Sequence, residues 1–184
     1  MLNDFTDKQI ISLLEENSLW AKKACREILS RKDDFIPMLL KILDDAIEDP
    51  EPYMDDEKRA HIPAAYLLAQ MREPEAYPRL VTLLNYDEYD INLLWGDILC
   101  QSYDCLLRDT FNGGKTTLTY VIANKDAFSW ARAMALKAYG MHYSDGFISR
   151  EEITGFFRRL IREEYIGQPD DDDDDDEYYD DDDL

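Results

Sequence analysis

Histidine and cysteine are scarce in this chain: His61, His142, Cys25, Cys100 and Cys105 are the whole supply among 184 residues. That scarcity excludes a good deal of chemistry. An odd count of three cysteines cannot form the dense disulfide framework of a small secreted fold. Cys100 and Cys105 lie five positions apart, which on a helix sets them about 140° apart around the axis, and neither has a cysteine or histidine companion at zinc-finger spacing. No HExxH or GxSxG motif occurs. Basic residues are also few, with 20 Lys and Arg against 41 Asp and Glu and a net charge of −21. The chain therefore lacks the basic patch that neutralises nucleic-acid phosphates or anionic lipid, so neither direct nucleic-acid binding nor membrane binding is expected. No apolar run approaches the roughly 20 residues that cross a bilayer. The opening MLNDFTDKQI carries no basic segment ahead of an apolar run, so no secretory signal is expected. A cytoplasmic, reduced chain without metal or cofactor is the expectation.

Period-two alternation is missing as well, and helical periodicity takes its place. Apolar residues at 20, 21, 24, 25 and 28 recur at the three-and-four spacing of one helix face. Ile91, Leu94, Trp95, Ile98, Leu99, Ser102 and Leu106 form a second stripe, read as one helix over 91–107. Ala127, Trp130, Ala131, Met134, Ala138 and Met141 form a third. Aligned on Trp20, Trp95 and Trp130, these segments share an aromatic, then Ala or Gly, then Cys or Ala five places on, and His61 begins a looser fourth copy. Partner helices fall at 35–43, 76–84, 116–124 and 152–160, and the interval between copies is about forty residues, the period of two-helix repeats. A helical pair covers only one of its apolar faces by itself, so stacked pairs bury the other. Ala21, Gly96 and Ala131 would let helices approach closely. Turns are expected at 49–52, 85–88, 112–114 and 144–146. Ser149 with Glu152 is a capping-box pattern that starts a helix near residue 150.

Two stretches, WARAMALKAYGMHYSDGFISREEITGFFRRL at 130–160 and HIPAAYLLAQMREPEAYPRLVTLLN at 61–85, resemble an uncharacterised bacterial family of HEAT-like helical-repeat proteins. The resemblance covers residues 5 to 165 or so. It implies an all-α fold, a right-handed α-solenoid of about four HEAT-like helical pairs, and it transfers no catalytic residue. Some relatives carry a C-terminal SEC-C cysteine/histidine metal-binding segment. Here no cysteine follows Cys105, and aspartates stand at that end instead.

The stretch NGGKTT at 112–117 invites comparison with a phosphate-binding loop. That motif needs a glycine five places before Gly114, where Asp109 stands, so a turn between helices is the better reading. Cys25 and Cys100 match Ala135 in a third repeat, which points to small buried packing residues. His61 takes a tryptophan's place and reads as a partly buried packing or hydrogen-bonding residue. His142 falls at a helix end, where a cation favours the dipole. The three tryptophans are read as core, and the many acid pairs as a solvated face.

Residues 1–166 form the expected repeat domain and 167–184 a disordered acidic tail. Candidate partner-binding residues are Asp170, Asp171, Asp172, Asp173, Asp174, Asp175, Asp176, Glu177, Asp180, Asp181, Asp182 and Asp183. They would steer a basic protein surface towards the chain by long-range attraction, or fold back over Arg158, Arg159 and Arg162. The functional expectation is a non-catalytic module that binds a protein partner. The alternatives are an enzyme or small-ligand protein with a pocket between repeats around His61, and an acidic immunity-type inhibitor of a basic protein.

Overall fold

A computed structural model describes residues 5–15, 19–55 and 58–165; the side chains of Leu19, Trp20, Glu163, Glu164 and Tyr165 are outside the description. Every regular element among the described residues is helical. The chain divides into two compact units, the first through Phe147 and the second from Ile148. The expected tail boundary at 166/167 lies outside the described residues.

The first unit begins with α1 (Asp7–Ser12), where the Thr6 side chain accepts from the Gln9 amide and the Gln9 side chain accepts from the Thr6 amide, a reciprocal cap. A 3₁₀ turn over Leu13–Glu15 leads towards α2 (Leu19–Ser30) and α3 (Lys32–Glu48). Pro37 falls inside α3, one turn beyond its start. A second 3₁₀ turn at Glu51–Tyr53 uses the expected Pro-rich break. Then come α4 (His61–Met71), α5 (Ala76–Leu83), α6 (Glu88–Trp95), α7 (Ile98–Asp109), α8 (Lys115–Ala123) and α9 (Ser129–Ser144). In this unit α2 packs on α3 and α4, α3 on α4 and α5, α4 on α5 and α7, α5 on α7 and α8, and α9 on both α7 and α8.

The core follows from residue spacing. Phe35, Leu39, Leu43 and Ala46 on α3 recur every three or four places and are fully buried. Alanines do the close packing on the alternate helices: Ala24 on α2, Ala64 and Ala65 on α4, and Ala131, Ala135 and Ala138 on α9 are all sealed from solvent. Two ion pairs join α7 to α9 and the turn after it. Arg108 grips Asp145 through both carboxylate oxygens at 2.6 and 2.7 Å, and Lys137 reaches the buried Asp104 at 2.8 Å.

One expected helix is in fact two. The stripe 91–107 breaks after Trp95, and Gly96 adopts φ 50° and ψ −135° between α6 and α7. The periodicity survives the break because Ile91, Leu94 and Trp95 face the same core as Leu99, Tyr103 and Leu106. Gly96 is thus a backbone hinge residue, not the helix-contact residue expected of it. A Cβ there would meet nothing closer than 3.8 Å, so the cost of a side chain is conformational. Gly96→Ala is expected to lower stability by about 1–2 kcal/mol, read as a lower urea midpoint with unchanged slope.

The break also explains why residues aligned by type are not equivalent in place. Trp95 ends a helix and is completely buried, whereas Trp130 is the second residue of α9 and 52% exposed. Core packing is therefore corrected for Trp130. Cys100, near the start of α7, and Cys105 are exposed, and Cys25 is half-buried, so the reading of Cys100 as a buried counterpart of Ala135 is also corrected.

The NGGKTT turn is as expected. Asn112 Oδ1 accepts from the Gly114 amide at 2.8 Å, Gly113 takes φ 90°, and α8 starts at Lys115. In the second unit, α10 (Arg150–Tyr165) begins with the expected box: Glu152 accepts from the Ser149 amide at 2.8 Å and Ser149 accepts from the Glu152 amide at 3.2 Å.

Candidate functional site

Two hollows in the first unit share Glu15 and gather polar side chains beside apolar walls. The larger, about 460 Å³, lies among the 3₁₀ turn at 13–15, α2 and α4. Leu14, Leu29, Ile62, Pro63 and Leu67 give it apolar walls, with Leu14 and Leu67 nearly sealed from solvent, while Glu15, Cys25, Arg59, Tyr66 and Gln70 supply the polar groups. The helical period places this wall: Ile62, Pro63, Tyr66, Leu67 and Gln70 recur along α4, and Cys25 and Leu29 sit one turn apart on α2. Tyr66 is held by a hydrogen bond between its hydroxyl and that of Ser102 on α7.

The smaller hollow, about 370 Å³, shares Glu15 and is lined by Asp45, Glu48, Asp49, Pro52, Tyr53 and Lys58. Four carboxylates face one ammonium group there. Asp45 already holds Lys41 at 2.7 Å along α3. The Tyr53 hydroxyl is pushed to a higher pKa, first by burial and then by the negative charge of Asp45, Glu15 and Asp49.

Neither hollow presents an activated nucleophile. Burial pushes the Cys25 thiol up, which keeps it protonated at neutral pH and blunts its reactivity. His61 is not a lining residue: it is wholly buried, with Nε2 donating to the Leu94 carbonyl at 2.7 Å. Its ring meets Tyr53 edge-on at 5.4 Å and Trp95 at 5.0 Å, and Trp95 in turn meets Tyr103 at 4.8 Å. Tyr103 closes this row by donating to the Leu80 carbonyl at 2.8 Å. Burial, helped by the charge of Arg59, drives the His61 pKa down to about 4. It is a neutral, buried packing group and lines neither hollow.

His142 behaves the same way. It stacks on Phe111 at 3.8 Å, and burial takes its pKa to about 4 despite Asp145. The cationic helix-end role expected for it is therefore corrected: at neutral pH this imidazole carries no charge to offer the dipole. Among the described residues, no group of three or more His, Cys, Asp or Glu side chains could hold a metal ion, and no helix is long and apolar enough to cross a membrane.

The candidate residues Asp170 to Glu177 and Asp180 to Asp183 lie outside the described residues, so the structure places none of them. The hollows bring together Leu29, Arg59, Ile62 and Gln70, which the sequence did not single out, and Glu15, which belongs to an acid pair read as part of a solvated face. Their signal in sequence is faint, since each is an ordinary residue at the edge of an apolar stripe. Among the acid pairs, Asp44–Asp45 is not simply solvated: Asp44 binds Arg79 on α5 through both oxygens at 2.7 and 2.9 Å.

A family model described as "Protein of unknown function (DUF1186)" matches residues 7–170, and the chain belongs to that family. An uncharacterized protein of Chlamydia trachomatis serovar D is 30% identical over 150 residues, covering 81% of this chain and 59% of the relative. A second, from Chlamydia muridarum, is 30% identical over 96 residues, which is 52% of this chain and 39% of the relative. The chain thus spans less than two thirds of the length of these curated relatives. No solved structure matches it.

Proposed function

We propose that this member of the DUF1186 family is a cytoplasmic, non-catalytic HEAT-like repeat protein that binds a basic protein partner. The packing order is what supports a solenoid, whose right-handed sense is part of the proposal. Helices α2, α4, α7 and α9 form one succession of neighbours and α3, α5 and α8 the other, so each pair rests mainly on the next.

The observation that carries the binding reading is the apolar hollow beside an acidic one. Such a surface offers burial for an apolar anchor and attraction for a cation, while its thiol is held protonated and the nearby imidazole is sealed. The acidic residues 170–177 and 180–183 would add long-range attraction for the same partner. The test is to capture proteins from a native lysate with the full chain and with a chain ending at Gly167, at low and moderate salt. A stoichiometric basic partner retained by both chains supports recognition on the helical body; one lost with residues 168–184 moves recognition to the acidic segment. Absence of any partner with either chain overturns the reading.

A further inference from the structure

The two hollows share Glu15 and differ in character. On one side lie Leu14, Leu29, Ile62 and Leu67, on the other Glu48 and Asp49. We propose that together they recognise a basic amphipathic segment of the partner, one bulky apolar side chain entering between α2 and α4 while a neighbouring Lys or Arg lies against Glu15, Glu48 and Asp49. This rests on the protein-binding reading and specifies the partner's chemistry.

The larger hollow, about 460 Å³, falls within the roughly 300–1,000 Å³ of sites that enclose an organic group. Its floor is apolar, so an aliphatic or aromatic side chain gains by leaving water there. Charge gives the segment a direction. Glu15, Glu48 and Asp49 are exposed, and none is ion-paired within the described residues, whereas Asp45 is engaged by Lys41. The apolar walls of the larger hollow offer a cation little, whereas Glu15, Glu48 and Asp49 outnumber the one ammonium group, Lys58, in the smaller, so the basic side chain is drawn to that side. An acidic segment of this chain is excluded as occupant by the same carboxylates.

The probe is a fluorescein-labelled amphipathic peptide of leucine, lysine and alanine, titrated by anisotropy at moderate salt into the full chain and its variants. Glu15→Lys with Glu48→Lys and, separately, Ile62→Ser are each expected to weaken binding about tenfold. All these sites are exposed or half-buried, and an unchanged urea midpoint verifies that the variants fold. In a Cys100→Ser, Cys105→Ser background, the peptide is expected to slow alkylation of Cys25 severalfold, because Cys25 lines the hollow. Equal binding by all variants, with Cys25 unprotected, overturns the inference and assigns the peptide to residues 170–183. Protection of Cys25 without any effect of charge reversal overturns the basic half of it. If the variants still retain a native lysate partner, this inference fails alone; the broader reading fails only when the unaltered chain captures none.

Discussion

Trp95→Ala lowers the stability of the chain by about 3–5 kcal/mol, the cost of emptying a large buried aromatic site. The magnitude follows from position: the side chain is fully buried at the end of α6, where it meets the edges of His61 and Tyr103 at 5.0 and 4.8 Å. Removing it deprives α4 and α7 of a shared contact and leaves a cavity beside a backbone break that cannot close easily. Its indole N–H has no hydrogen-bond partner, so Trp95→Phe sacrifices only volume and is expected to cost well under half as much. Urea denaturation of both variants tests this. Equal losses would show that the indole nitrogen matters, contrary to the packing account.

The second large effect is acid sensitivity between pH 6.5 and 4. In the unfolded chain both histidines take up protons near 6.5, while in the folded chain burial holds both near 4. Folded pKa values lie below unfolded ones, so the unfolded state binds more protons in this window. The stability associated with the neutral rings is fully present above 6.5 and is lost as pH falls to about 4. For His61 alone the difference corresponds to about 3 kcal/mol. His142 adds to it in the same direction, with Arg108 opposing and Asp145 favouring its protonation. The Asp145 carboxyl, lowered by its hydrogen bonds to Arg108, titrates below this window. Urea midpoints measured across the range should fall steadily, and His61→Gln with His142→Phe should flatten the slope. A slope unchanged in the double variant would assign the acid sensitivity to other groups.

Much of the fold was legible because helices declare themselves locally. The three-and-four spacing marked α2, α3, α4, α5, α8, α9 and α10, and the Ser149–Glu152 box located a start to within a residue. Gly96 was misread because one apolar stripe runs through the break: α6 and α7 face the same core, and periodicity senses faces, not backbone continuity. Trp130 and Cys100 were misread because matching residue types across copies assumed matching positions along each helix. The hollows were illegible for another reason. Glu15 and Glu48 are thirty-three residues apart in sequence, and nothing local distinguishes either from the many other carboxylates. Only packing of the 3₁₀ turn, α2 and α4 brings an apolar floor beside them.

The central claim is that recognition belongs to the helical body through these two hollows. It is tested most directly by comparing partner retention from one native lysate between the unaltered chain and the folded variant Glu15→Lys, Glu48→Lys, Ile62→Ser, at a salt concentration that screens exposed charges. The unaltered chain is expected to keep a basic partner and the variant to lose most of it. Equal retention by both would contradict the claim.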